Sequence, residues 1–387
     1  MNNYHKIKVA NFIEEGKIGG TQIRMLAVAA TINKKIDTTL IFPKKNSKEL
    51  QKKSKELNIK YLLFPLTTLR KDWIVIIKYF FSFIFEVVML SKLLKENKFD
   101  ILHVSGGSWQ YKGVLAAKIA GIKIVWHLND TYAPFLVRGV FFLLSNLADS
   151  FILASHKTKK YYKKLIPTNR KFFLIQAPVD QDFFNPKFDY SNKFLKKINF
   201  KKKIIIGTVA NINPSKDLVT FLKVAKEVSM YKKDIIFLIV GSVFEEQKKY
   251  NEYLRNIIKS NKIKNIYFVG SFKDVRPILK ILDIYICTSK NESSPISVWE
   301  AMSMEKAIVS TDVGDVGKFI KNGVNGYVVK VKDYINLSSR IEKIILNPKL
   351  RKTFGRLNRK IVQNKLDLKI CAQLHFNAYK TIFKNTL

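Results

Sequence analysis

The stretch that decides the architecture is Asp283–Tyr327, DIYICTSKNESSPISVWEAMSMEKAIVSTDVGDVGKFIKNGVNGY. Ile284 to Thr288 is a short apolar run, the signature of a buried strand. Ser294 and Pro295 follow, then Val298, Trp299, Ala301 and Met302 at helical spacing. Serine suits a helix cap and proline the first helical position, so the order predicts strand, loop and a helix opening at Pro295. Glu292 then falls in the loop leaving the strand. Glu300 falls about a turn and a half into the helix.

In open α/β sheets, ligands gather beyond the carboxyl ends of strands, where a helix N-terminus offers unpaired N–H groups and a positive dipole end. Amides near Ser293, Ser294 and Ile296 are placed to hold a diphosphate. Glu292 and Glu300 are acceptor-only groups suited to sugar hydroxyls on either side of it. Two glutamates near a helix start also cap backbone or face solvent, so the pair alone does not decide.

The order Ser289, Glu292, Pro295, Glu300, Ala301, Met302 does more. Followed by Ile308–Gly314 (IVSTDVG), Asn322-Gly323 and Asn325-Gly326-Tyr327, it resembles the signature of the retaining, GT-B-fold glycosyltransferases of family 4. The resemblance covers nearly the whole chain and is strongest from Thr208 to Val329. It implies an α/β fold of two doubly wound Rossmann-like domains facing a cleft, with a C-terminal helix crossing back to the first domain. Strands alternating with helices in both halves lead to the same two-domain architecture. The first domain is expected over 1–190, joined by about 365–387, and the nucleotide-sugar-binding domain over 200–364. The polar, lysine-rich segment Asp189–Lys202 reads as the linker.

A chain of 387 residues is long enough for two full cores, and 47% apolar residues exclude general disorder. Two distant cysteines in apolar surroundings, Cys287 and Cys371, suggest reduced core residues and a cytosolic setting. Met1 to Phe12 shows no signal-peptide core. A net charge of +39 invites a nucleic-acid reading, but no DNA- or RNA-binding motif accompanies it. An anionic membrane surface is the better-matched partner. Lysines spread along the whole chain also mark a compositional bias.

Between the predicted first strand, Ile7–Ile13, and the first helix lie Gly19 and Gly20, which let backbone approach a ligand closely. The resemblance makes them the loop facing donor diphosphate and acceptor. Trp73–Leu94 is interrupted by Lys78 and Glu86, too polar for a membrane span. Lys78, Ser82, Glu86 and Lys92 share about a third of the helix circumference. A largely buried helix with one wet edge is therefore expected. The competing reading is a helix lying in the membrane interface behind Arg70 and Lys71.

His127 follows a strand, Ile122–Trp126, on the ligand side of the sheet, and resembles the family's histidine that contacts the donor sugar near the reacting carbon. His103 matches no motif position and stays outside the catalytic set. In the second half, Asn211–Asp217 resembles the loop whose Arg and Lys neutralise the donor diphosphate; Lys216 matches, and Asn211 stands where Arg is usual. An amide donates hydrogen bonds without charge, which weakens leaving-group stabilisation. Backbone around Phe268–Gly270 would line the nucleobase pocket. Glu305 and Ala307 replace the family's Gly and Pro, leaving the local turn open.

The resemblance thus implies a metal-independent retaining glycosyltransferase with no cofactor beyond its nucleotide-diphosphate sugar. Glu300 would bind the ribose, Glu292 the donor sugar, and Lys216 with Ser293, Ser294, Pro295 and Ile296 the diphosphate; His127 would position the sugar. A saccharide or lipid-linked acceptor in envelope polysaccharide synthesis fits the basic surface. A nucleotide-sugar epimerase, or a non-catalytic partner of a glycosyltransferase, are the alternatives.

Overall fold

The computed structural model describes residues 6–67, 73–190 and 203–384. It divides into two units, Met1–Ala177 with Leu368–Leu387, and Pro178–Asp367.

The first unit runs β1 (Lys8–Phe12), α1 (Gly20–Ile32), β2 (Asp37–Pro43), α2 (Lys48–Glu56), β3 (Lys60–Phe64), α3 (Trp73–Glu96) and β4 (Ile101–Val104). It continues through α4 (Tyr111–Ala120), β5 (Lys123–Leu128), α5 (Phe135–Ser145), β6 (Ser150–Leu153), α6 (His156–Tyr162) and β7 (Lys171–Leu174). The strands form one parallel sheet in the order β3-β2-β1-β4-β5-β6-β7. β4 and β6 are buried at every position, as strands covered on both faces must be. Winding reverses between β1 and β4, which pair with Phe12 opposite Val104. Their carboxyl ends therefore open side by side, where ligands of such sheets bind.

The second unit holds β8 (Ile204–Val209), α7 (Leu218–Tyr231), β9 (Ile235–Val240), α8 (Lys248–Ser260), β10 (Ile266–Gly270), α9 (Arg276–Ile281) and β11 (Ile284–Cys287). Then come α10 (Ile296–Ser303), β12 (Ala307–Thr311), α11 (Val316–Phe319), β13 (Gly326–Val329), α12 (Tyr334–Leu346) and α13 (Pro348–Ile361). Its sheet order is β10-β9-β8-β11-β12-β13, all parallel, with the reversal between β8 and β11. After a π-helical turn, Val362–Leu366, the chain returns as α14 (Leu368–Lys384), which packs on α1 within the first unit.

The units part at Ala177, upstream of the expected boundary at 190. Val179 and Phe184 are buried in the second unit's core, and the Arg276 guanidinium lies 3.5 Å from the Phe183 ring centroid. Those contacts assign Pro178–Tyr190 to the second unit. Of the expected linker, residues 191–202 lie outside the described residues, as do Arg70 and Lys71. At the other end the return falls between Asp367 and Leu368, close to the expected 364/365.

α3 departs from expectation. Glu86, expected on a wet edge, is buried, and its Oε2 accepts a 2.6 Å hydrogen bond from the equally buried Lys112 of α4. That buried pair turns the helix so that its exposed arc is apolar: Phe80, Phe81, Ile84 and Phe85 face out. Lys78 and Lys92 are exposed, as anticipated.

The turn after α10 closes with Glu305 at the position where the resemblance expects glycine. Glu305 adopts φ +57°, and the turn closes through Glu305 N–H to Met302 O at 3.1 Å and Lys306 N–H to Ala301 O at 3.0 Å. A side chain in this left-handed region costs roughly 1 kcal/mol.

Candidate active site

The reversal between β8 and β11 brings the loop after β8 against the loop after β11. Lys290 N–H donates to Ser215 O at 2.8 Å, and Thr288 Oγ1 donates to Lys216 O at 2.9 Å. Across this seam the Lys216 ammonium pairs directly with Glu292 Oε1. Ser289 Oγ donates to the same oxygen at 3.0 Å, and Thr311 Oγ1 fixes the Ser289 carbonyl at 2.7 Å. Burial opposes the charge on Lys216, but the Glu292 carboxylate outweighs it and holds the ammonium above its ordinary value. Lys216 is a fixed cation at working pH.

Two glycines permit this packing. A Cβ at Gly314, φ +51°, would meet Ser293 O at 1.9 Å, so only glycine lets the β12 loop press on the loop that carries Glu292. A Cβ at Gly241 would meet Ala210 O at 2.0 Å, so glycine admits the backbone that carries Asn211.

α10 starts at Ile296 with Pro295 as its cap residue, one position later than expected. The reason is visible in Ser294: its Oγ accepts from Trp299 Nε1 at 3.0 Å, while the helix start shows no side-chain cap. Glu300 is the fifth residue of α10, half-buried, and burial pushes its carboxyl up to about 8. Among the described residues, no hydrogen bond or ion pair joins it to the Lys216–Glu292 pair. The structure therefore brings Lys216 and Glu292 together, with Ser293, Ser294, Pro295 and Ile296 on the connecting segment. Phe268 and Gly270 lie at the end of β10. The Phe268 ring carries the Arg255 guanidinium 5.3 Å from its centroid, and Gly270 O accepts from Gly241 N at 2.9 Å.

In the first unit, Gly19 caps α1 and Gly20 opens it, with Gln22 Oε1 accepting from Gly19 N at 3.1 Å. His127 ends up wholly buried at the end of β5. Its Nε2 lies 2.6 Å from Arg24 Nη1, and its Nδ1 lies 3.1 Å from His103 Nε2. Burial first holds both imidazoles well below their ordinary pKa, followed by Arg24 for His127 and by His375 and then Arg24 for His103, so both are neutral. A guanidinium only donates, so His127 Nε2 accepts and Nδ1 carries the proton. His127 then donates to His103 Nε2, and His103 Nδ1 donates to Tyr379 Oη at 2.6 Å. Arg24 thus sets the tautomers of the whole relay. It is itself buried, donates to Asn129 Oδ1 at 2.5 Å, and has no carboxylate partner among the described residues.

Sequence reasoning missed Arg24, Asn129, Tyr379 and His375, whose ring centroid lies 5.8 Å from that of His127 and 5.9 Å from that of His103. Arg24 sits four residues past Gly20 on an otherwise apolar helix face, and His375 and Tyr379 are one turn apart in the tail. Those spacings were the available signals. It also missed Glu14, just past β1, whose carboxyl is pushed up to about 7 by burial and whose Oε1 has no hydrogen-bond partner among the described residues. No group of three or more His, Cys, Asp or Glu among the described residues is arranged to hold a metal ion. No helix among them is long and apolar enough to cross a membrane.

Comparison with known proteins agrees with this geometry. Residues 18–183 match the family model described as Glycosyltransferase Family 4, and residues 191–361 that described as Glycosyl transferases group 1. The chain is 25% identical over 382 residues to a Campylobacter jejuni N,N'-diacetylbacillosaminyl-diphospho-undecaprenol alpha-1,3-N-acetylgalactosaminyltransferase, covering 94% of this chain and 96% of that one. An Escherichia coli UDP-Gal:alpha-D-GlcNAc-diphosphoundecaprenol alpha-1,3-galactosyltransferase is 24% identical, over 66% of this chain and 69% of its own. Among solved structures, a Rickettsia africae glycosyltransferase superposes with a TM-score of 0.81 at 20% identity, covering 99% and 100% of the two chains. Anabaena HepE, crystallised with UDP and glucose, gives 0.81 at 16% identity over 95% and 97%. Both share the fold. The chain belongs to the family 4 glycosyltransferases and is an enzyme of the GT-B fold.

Proposed function

We propose that this glycosyltransferase moves a sugar, with retention, from a nucleotide-diphosphate sugar to a lipid-linked saccharide during envelope polysaccharide synthesis. The observation that carries the reading is the Lys216–Glu292 pair, held where the second unit's sheet reverses. Lys216 and the amides of Ser293, Ser294 and Ile296 stabilise the departing diphosphate, a preorganised electrostatic role that needs no metal. Glu292 accepts from the donor sugar and Glu300 from the ribose. Asn211 donates a hydrogen bond to the diphosphate, while Phe268 and Gly270 border the base.

In the first unit, Gly19 and Gly20 admit diphosphate and acceptor. His127 positions the sugar through Arg24, the group that its Nε2 holds in place. The lipid-linked acceptor follows from the Campylobacter and Escherichia relatives, whose names carry diphospho-undecaprenol substrates. Such an acceptor brings the chain to the cytoplasmic face of an anionic membrane, and both free cysteines are buried, consistent with a reducing compartment.

The test is a panel of UDP-, GDP-, dTDP- and CDP-sugars read by melting temperature, then transfer to a polyprenyl-diphosphate saccharide with and without EDTA. Ligand at a hundred times its Kd stabilises by about 2.7 kcal/mol, roughly 5–10 °C for a unit of this size. One nucleotide class should give that shift, and transfer should survive EDTA. No shift with any donor would refute the site, and loss of transfer in EDTA would refute the metal-free role of Lys216.

A further inference from the structure

We propose that the outward face of α3 and α5 is a docking surface that seats the first unit in the headgroup region of an anionic bilayer. The proposal takes its purpose from the lipid-linked-acceptor reading above, and its evidence from a different part of the molecule. On α3, Phe80 is 72%, Phe81 86%, Ile84 74% and Phe85 66% exposed. Positions 80, 81, 84 and 85 repeat at helical spacing, so these side chains form one continuous stripe. On α5, Leu136 is 78% and Leu143 69% exposed. Both helices pack against α4, which places them on one side of the sheet.

Single exposed apolar residues are ordinary, but an aromatic and aliphatic stripe on α3, with further exposed apolar residues on α5 across α4, marks an interaction surface. α3 also departs from simple amphipathicity in a telling way. Its one central acid, Glu86, points inward onto Lys112, so the stretch from Phe80 to Phe85 carries no negative charge; the exposed acid of α3, Glu96, lies at the helix end and is paired with Lys92. Lys78 of α3 and Arg138 of α5 are exposed on the same two helices.

The charge chooses the occupant. A second copy of this chain would bring +39 against +39, whereas an anionic lipid surface attracts such a body. With no described helix able to cross a bilayer, the mode that fits is insertion of an apolar helix face into the headgroup and acyl boundary, parallel to the surface.

The experiment is co-sedimentation of the full chain with vesicles of phosphatidylglycerol and phosphatidylethanolamine, and with vesicles of phosphatidylcholine alone. The wild type should bind the anionic vesicles at least about tenfold more strongly than the neutral ones. Phe81→Ser with Phe85→Ser should weaken that binding by about 100-fold, because two aromatic side chains no longer leave water. Both positions are solvent-exposed, so the variant's melting temperature should stay within about 2 °C of the wild type.

Equal binding by variant and wild type, or no wild-type binding to anionic vesicles, overturns the proposal. A dimer that forms without vesicles and is abolished by the same two substitutions also overturns it, in favour of a self-interface. Transfer to a short-chain, water-soluble acceptor separates the two readings. The docking variant should retain that activity, and absence of any transfer by wild type would defeat the transferase assignment while leaving the vesicle result to stand.

Discussion

Replacing Lys216 by methionine probes the site most directly. The side chain keeps nearly the length of its apolar stem and loses its charge. Two consequences follow from the geometry. First, Glu292 is left with Ser289 Oγ as its remaining described side-chain donor, at 3.0 Å. Breaking a fully buried ion pair costs about 3–5 kcal/mol, but these side chains keep 24% and 17% of their exposure, so a cost of about 1–2 kcal/mol is appropriate. For a unit of this size that is roughly 2–8 °C in Tm. Second, the cation proposed to face the leaving diphosphate is gone. Loss of one preorganised donor at a developing negative charge lowers kcat by about 100- to 1,000-fold.

The assay is steady-state transfer with the cognate donor, alongside Tm for K216M, E292Q and the double variant. If the pair mattered only for stability, the double variant would recover activity along with stability, because no unpaired charge remains. The catalytic reading expects the double variant to recover some Tm while its kcat stays at least 100-fold down. A K216M enzyme with kcat within twofold of wild type refutes the reasoning. The pH range is also set. The folded pKa of Lys216 is raised, so the stability that the lysine's charge contributes is complete below the ordinary lysine value and is lost as pH rises beyond it.

Two further outcomes test the loops. Burial raises the Glu300 carboxyl to about 8, so the fold favours its protonated form, and wild-type stability falls as pH rises from about 4.5 toward 8. Glu300→Gln does not titrate and should therefore gain stability over wild type, by about 2 kcal/mol at pH 8, while binding nucleotide more weakly; parallel Tm curves from pH 5 to 9 would contradict this. Gly314→Ala places a Cβ 1.9 Å from Ser293 O and should lower both Tm and kcat, whereas Gly323→Ala, at φ +77° with nothing within 4 Å, should cost only about 1 kcal/mol. Equal effects at the two glycines would show that the Ser293 contact is unimportant.

The strand-loop-helix order around Glu292 was legible because its signals are local: an apolar run, a proline and a helical repeat. The offset of one residue at Ser294 was not, since it depends on the indole of Trp299 claiming that hydroxyl. The boundary at Ala177 was equally hidden. Pro178–Tyr190 looks like loop in sequence, and only its packing through Val179, Phe184 and Phe183 assigns it to the second unit.

His127 shows the same division more sharply. Its place at a strand's carboxyl end follows from the pattern of β5, but its neighbours come from residues far apart in sequence. Arg24 arrives from α1, His103 from β4, and Tyr379 from a helix that returns to the first unit at the end of the chain. No periodicity reports such a meeting.

The amino-acid order by itself determined the alternation of strands and helices, the two units and the family, and it singled out Glu292, Glu300 and Lys216 as candidates for the nucleotide side. Each rests on contacts between residues near in sequence, or on a motif that spells them out. Tertiary structure decided which groups are neutral, which charges are paired and which apolar faces stay wet. α3 is the plainest case: its two faces are nearly equally apolar, and the burial of Glu86 on Lys112 is what turns Phe80, Phe81, Ile84 and Phe85 to the outside.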